Sequence, residues 1–496
     1  MRAGGVFVLG FAVSLLSVQA WAQLPLQQGA PVAPPRPAAP VAGTPSTLVR
    51  SLQDALAAAY ANNPTLQAAR AQLRSVDENV PAALAGWRPT VTLGGSYGFA
   101  QGDQRTYSPG NASFGTPGAG VTSQENRRED TLTATLTQPI YRGGRTTAGT
   151  NRANNQVMSQ RASLIASEQT VFSNTVQAFV NVIQDQELLQ LDINNEQVLA
   201  KQLQATNDRF RVGEITRTDV AQAEAALAGA TATRQGAEGT LATARASYEQ
   251  YVGEIPGKLL EPQPLKLPTA TIEQSRALAA ANNPNVVAAL FSEAAQKDNF
   301  DLQYSALMPN LSLQAQGFRN ENVTESNLRQ TGGTFLANIS VPLFQGGSEY
   351  AAIRQARQLE QQARKQVDDA RRTAVQALVS AWETYQAAKA TISSARAQIR
   401  SNEIALEGVQ REAIVGSRTT LDVLNAEQAL LQSRTLLVQN LASFVNASYG
   451  VAAGVGRLTA RDLKLNVPLY DETAYFEAVK NKWIGTGDYA TDQPGR

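Results

Sequence analysis

The sequence repeats itself once, at long range. A chain built that way folds as two similar halves and not as a stack of many short units. Ala61-Asn62-Asn63-Pro64 returns as Ala281-Asn282-Asn283-Pro284, 220 positions on, and Pro89-Thr90-Val91-Thr92-Leu93 returns at the same offset as Pro309-Asn310-Leu311-Ser312-Leu313. Further along the offset falls to 203. Pro139-Ile140-Tyr141-Arg142-Gly143-Gly144 returns as Pro342-Leu343-Phe344-Gln345-Gly346-Gly347, and Asp219-Val220 returns as Asp422-Val423. The extra residues of the first copy fall in Gly102 to Asp130, a stretch rich in Gly, Ser, Asn, Pro and charge that reads as a long loop. The copies occupy 48–255 and 271–467, with a linker at 256–270 between them and a tail at 468–496.

Each copy holds two segments of period two, at 89–138 and 309–343. Val91, Leu93, Tyr97 and Phe99 alternate with Thr90, Thr92, Ser96 and Gly98, and Leu132, Ala134 and Leu136 alternate with threonines. Leu311, Leu313 and Ala315 repeat the pattern, as do Phe335, Ala337, Ile339 and Val341. Such strands have one apolar and one polar face. One reading is a soluble antiparallel sheet packed on a core. The other is a membrane-spanning sheet, for which about 9–11 residues per strand suffice. Four strands cannot close a barrel, since known ones begin at about eight. An open edge in lipid leaves backbone groups unsatisfied. The membrane reading therefore requires several chains to share one barrel.

The helical segments are too long for an ordinary globular domain. No proline occurs between Gly144 and Pro256, and Val157, Leu164 and Val171 recur every seven residues. A helix over Thr146–Arg211 would approach 100 Å at about 1.5 Å per residue. Heptad spacing implies packing against neighbouring helices. Gly213 breaks the pattern, and Thr216 or Thr218 caps a returning helix that runs to about Tyr251. The second copy predicts a helix over Ser348–Val415, a break at Gly416 and a return over Leu421–Ser448. A shorter helix over Thr65–Ala85, stacked end to end on the return helix, would match the long one and give four helical columns per chain. A fibrous coiled-coil stalk also explains the heptads, but not strand pairs inserted at matching places in both copies.

Arg2, the apolar run Val6–Val18 and Ala20-Trp21-Ala22 form the pattern of a cleaved secretory signal over 1–22. A Pro- and Ala-rich linker follows at 23–47. The chain has no cysteine, hence no lipidation site behind the signal and no disulfides. It has no histidine, the commonest general base and metal ligand. With 43 basic and 42 acidic residues and no basic block, nothing points to nucleic acid. No nucleophile–base pairing or phosphate loop stands out, so no enzyme, metal or cofactor is expected.

The Pro-x-aromatic-x-Gly-Gly junctions, the Asn-Asn-Pro starts and the run Gly416-Ser-Arg-Thr-Thr-Leu-Asp-Val-Leu-Asn425 together resemble the TolC family of outer-membrane efflux and secretion ducts. The likeness covers about Leu48 to Leu465. It implies a mixed α and β fold: a trimeric outer-membrane β-barrel, four strands per chain, continuous with a long periplasmic α-helical barrel. It also implies a periplasmic adaptor and an inner-membrane ABC or proton-driven pump as partners.

At the junctions the residues suit mechanical roles. Pro139 and Pro342 lack an N–H and suit a strand end. Gly143-Gly144 and Gly346-Gly347 permit the turn from strand to helix. Tyr141 and Phe344 suit either the membrane–water boundary or plain packing. Gly213 and Gly416 mark the hairpin tips. The resemblance places the second tip at the periplasmic entrance, where Arg418 matches a gate arginine and Asp422 an acidic position. Asn425 stands where relatives carry a second aspartate, which would thin the anionic ring, and Ala413 stands where a gate tyrosine would be. At the first tip Asp219 can pair with a basic side chain of a neighbouring hairpin. Simple helix N-terminal stabilisation accounts equally well for Asp219 and Asp422.

Overall fold

The structure is a computed structural model that describes residues 51–108 and 118–487. The signal at 1–22 and the linker at 23–47 lie outside the described residues. The first copy forms α1 (Leu52–Asn62), α2 (Pro64–Asp77), α3 (Asn79–Leu84), a 3₁₀ turn at Ala85–Trp87, β1 (Thr90–Ser108), β2 (Ala119–Arg142), α4 (Arg145–Arg211) and α5 (Arg217–Val252). The second forms α6 (Ile272–Asn282), α7 (Pro284–Tyr304), a 3₁₀ turn at Ser305–Leu307, β3 (Asn310–Glu321), β4 (Arg329–Ser340), α8 (Ser348–Ile414) and α9 (Thr420–Gly454). A short α10 (Ala474–Val479) lies in the tail.

The helix expected over Thr65–Ala85 is broken. Pro81 has no N–H to give the Asp77 carbonyl, and its ring crowds that carbonyl, so α2 stops at Asp77 and α3 starts afresh. Without an internal proline, α7 runs unbroken for 21 residues. Both long helices, α4 and α8, are 67 residues, on the order of 100 Å. Each packs along its own return helix, and α4 also packs along α7.

The four strands form one antiparallel sheet in the order β1-β2-β3-β4, so β2 and β3 join the two copies. Register puts the apolar positions on one face: Val91 opposite Leu136, Leu136 opposite Ala315, Ala315 opposite Phe335. That face covers no core, since Val91 is 76% and Phe335 86% exposed. The soluble-sheet alternative needs this face buried and is therefore overturned.

The segment Gly102–Asp130 is mostly hairpin and not loop. β1 and β2 stay paired from Gly102↔Glu125 out to Ser108↔Ala119. The ladder needs only backbone groups, so it continues where neither face has an apolar requirement and the alternation fades. Residues 109–117 of that segment lie outside the described residues.

The main core sits partway along the helices. Phe172 and Phe179 of α4 meet Leu56, Leu66 and Leu73 of the first helices and Tyr248 of α5, all fully buried. Sheet and hairpin tips extend away from this belt in opposite directions along the helices.

Candidate functional site

The strand-to-helix junctions and the hairpin tips are the two ends of the helical body. At each junction a Gly-Gly pair has positive φ: +60° and +84° at Gly143 and Gly144, +72° and +84° at Gly346 and Gly347. Gly144 and Gly347 are the N-cap residues of α4 and α8. A Cβ on Gly143 would overlap Met308 and come within 2.8 Å of the Ser305 carbonyl. The foot of β2 thus rests on the turn that leads into β3.

Pro139 is not at the strand end. It lies inside β2, opposite Ser312, where the register slips between Pro139 and Tyr141. A bulge tolerates the missing N–H, and Tyr141↔Leu311 and Arg142↔Asn310 resume the ladder beyond it. Pro342 lies past the end of β4 at Ser340.

The two junctions differ in exposure. Ile140 and Tyr141 are 45% and 47% exposed, whereas their repeat equivalents Leu343 and Phe344 are 88% and 78% exposed. A Cβ on Gly346 or Gly347 would meet nothing within 4 Å. The foot of β2 has a neighbour within the chain, and among the described residues the foot of β4 has none.

At the first tip Gly213 has φ +79°, and Thr216, not Thr218, is the N-cap of α5. Its hydroxyl accepts from the Asp219 N–H at 3.3 Å, while Asp219 Oδ2 accepts from the Thr216 N–H at 2.9 Å. The Thr216 hydroxyl also donates to Asp219 Oδ2 at 2.6 Å, and that bond first, with the one from the Thr216 N–H, holds the Asp219 carboxyl below the usual range. Asp219 is therefore occupied within its own helix, and Arg209 pairs with Glu214 at 2.6 Å.

The second tip repeats the box. Gly416 has φ +79°, Thr419 caps α9, and Asp422 Oδ2 accepts from the Thr419 N–H at 3.0 Å and its hydroxyl at 2.8 Å. The same bonds, backbone first, lower the Asp422 pKa. Arg418 pairs with Glu412 of α8 at 2.9 Å, across its own turn, and that bond raises the arginine pKa further. Asn425 is exposed on the next turn, outside the box. Ala413 is buried.

Sequence reasoning missed Glu412 as the partner of Arg418, although the two flank Gly416 closely enough to face each other across the turn. It also missed the work of the Asn-Asn-Pro motifs, which clamp the return helices. Among the described residues no helix is long and apolar enough to cross a membrane.

The model of the outer membrane efflux protein family matches residues 55–254 and 276–457, nearly all of both copies. The chain belongs to that family. It is 34% identical over 441 residues to the outer membrane efflux protein BepC of Brucella suis biovar 1, covering 89% of this chain and 92% of that protein. It is 24% identical over 412 residues to the outer membrane protein TolC of Vibrio cholerae, covering 81% and 90%. The crystal structure of the Campylobacter jejuni CmeC outer membrane channel superposes with a TM-score of 0.72 at 15% identity, covering 87% of this chain and 89% of that one. At that identity the likeness shows the fold. Family membership places this efflux-family protein in the outer membrane, among channels and not among enzymes.

Proposed function

We propose that three copies close edge to edge into one twelve-stranded outer-membrane barrel, continuous with a twelve-column helical tunnel in the periplasm. This duct exports compounds handed over by an inner-membrane pump through a periplasmic adaptor. The observation that carries the assembly is the contrast between repeat-related positions. Leu343 and Phe344 are 88% and 78% exposed against 45% and 47% for Ile140 and Tyr141, because β3 lies beside β2 and, among the described residues, no strand lies beyond β4. A second copy offering its β1 edge supplies the missing neighbour and satisfies both backbone edges in lipid.

In this assembly Tyr141 and Phe344 belong to the aromatic girdle at the periplasmic boundary. The distal β1–β2 hairpin stands at the cell surface, where a tag beyond Ser108 should be accessible on whole cells. The tips form the periplasmic entrance. Asp422 and Asp219 line it with carboxylates that attract cations, and Arg418 steadies its hairpin. The cargo is small toxic compounds or secreted proteins, the two classes that the resemblance to efflux and secretion ducts implies. Native mass of the detergent-purified protein together with planar-bilayer conductance tests the reading. A trimer that conducts supports it; a monomer stable in the membrane sinks it.

A further inference from the structure

The duplication makes the seam inside one chain a template for the seam between chains. Inside the chain the foot of β2, Pro139–Gly144, rests on Ser305–Met308, and Met308 packs against Gly143. The repeat maps Pro139–Gly144 onto Pro342–Gly347 and Ser305–Met308 onto Ala85–Arg88. Between chains, therefore, the foot of β4 faces Ala85–Arg88 of the next copy.

The two seams are not filled alike. Where the inner seam has the apolar Met308, the outer seam has Arg88. The Arg88 guanidinium is held by the tail: it donates to the Lys482 carbonyl at 2.6 Å and lies 4.9 Å from the centroid of the Trp483 ring. The tail is fixed along its path to that point. The Tyr475 hydroxyl donates to Glu78 at 2.8 Å, Phe476 packs on Val80, Ala153 and Val157, and Val479 is buried. Beyond Lys482 the tail presents Trp483, 66% exposed, and Ile484, 88% exposed.

We infer that the C-terminal tail is a clasp between chains, its Trp483 and Ile484 packing on Leu343 and Phe344 of the neighbouring copy. Each partner surface is apolar, exposed in the single chain and placed at the helix-side end of its edge strand. Packing them together removes four large apolar side chains from water at each seam. The seam inside the chain has no such clasp, because Met308 already fills it. The inference rests on the edge-to-edge trimer proposed above.

The chain has no cysteine, so cross-linking starts from a clean background. Ile484→Cys combined with Leu343→Cys, or with Phe344→Cys, should under mild oxidation give a covalent trimer ladder on denaturing gels. Neither single variant should do so. Trp483→Ala, with the fold intact by circular dichroism, should lower the temperature at which the trimer dissociates in detergent. Native mass separates the two layers of inference. A trimer that forms no bond in either cysteine pair overturns the clasp and leaves the duct standing. Absence of any trimer overturns both.

Discussion

The side-chain amide of Asn63 donates to the backbone carbonyl of Tyr251 at 3.0 Å, tying the start of the first copy to the last turn of its return helix. The same side chain accepts from the Thr65 and Leu66 N–H groups, so it also caps α2 behind Pro64. Asn283 repeats the arrangement, capping α7 and donating to the Gly454 carbonyl at 3.2 Å. One buried residue thus satisfies an orphan N–H at the start of one helix and an orphan carbonyl at the end of another. This is how two shorter helices are joined into a column beside each long one. The backbones approach closely there: a Cβ on Gly456 would fall 2.7 Å from the Asn282 carbonyl, and its φ is +85°.

Asn63→Ala removes both the cap and the clamp. Loss of an N-cap costs about 1 kcal/mol, and the half-buried Tyr251 carbonyl adds a further penalty of up to about 1 kcal/mol when left unpaired. Asn63→Ser keeps a capping oxygen without the amide donor and should fall between wild type and alanine. Thermal unfolding in detergent orders the three proteins. An Asn63→Ser protein as unstable as the alanine variant would mean that the capping oxygen contributes little.

The Gly-Gly pair of the first junction should be asymmetric in its tolerance. Gly144→Ala faces open space and meets only the cost of a left-handed backbone, about 1–2 kcal/mol. Gly143→Ala meets Met308 and the Ser305 backbone as well, so the foot of β2 must move off β3. We expect assembled Gly144→Ala trimers and few or none of Gly143→Ala, scored by unheated gels of outer-membrane fractions.

At the second tip, cap and charge can be separated. Thr419→Ala opens the capping box while keeping the carboxylate, and should loosen the N-terminus of α9 by about 1 kcal/mol. Asp422→Ala opens the box and also removes the charge. Cation preference in planar bilayers should weaken only for Asp422→Ala, and Asp219→Ala should weaken it in parallel. Arg418→Ser and Glu412→Gln break the same ion pair and should raise single-channel conductance alike. A larger effect of Arg418→Ser alone would point to a second partner on a neighbouring hairpin.

The tip carboxylates should stay charged in mild acid. Hydrogen bonds from Thr419 hold the Asp422 pKa below 3.8. A lowered folded-state pKa contributes stability above the unfolded value, lost as pH falls through the folded one. Cation preference should therefore persist down to about pH 4. Its loss near neutrality would assign it to other groups.

Asp77 should give the protein a pH dependence of the opposite sign. It is fully buried, and among the described residues neither carboxylate oxygen has a hydrogen-bond partner. Burial pushes its pKa from 3.8 up to about 7, against the opposing pull of Arg161, with Glu78 adding to the rise and Arg74 opposing it. Between those values the folded protein holds a proton that the unfolded chain has released. Stability therefore falls as pH rises through the window and levels off above it. The unfolding temperature should be higher near pH 5 than near pH 8, and Asp77→Asn should remove much of that difference.

The sequence by itself determined the duplication, the four alternating strands, the long heptad helices and the glycine breaks at the tips, because each depends on periodicity or on residues with few allowed conformations. It also showed that four strands cannot stand alone in lipid. Only the tertiary structure decided what the special residues touch. Asp422 and Asp219 are committed to their own capping boxes, Arg418 to Glu412, and Asn63 to a carbonyl 188 positions away. The long polar stretch after Gly102 became hairpin because ladder bonds use backbone, which has no sequence signature where both faces are polar. The unequal exposure of Tyr141 and Phe344 was likewise invisible in two motifs of the same pattern. Exposure depends on the neighbour across the seam, and only the strand order shows that one motif has its neighbour within the chain.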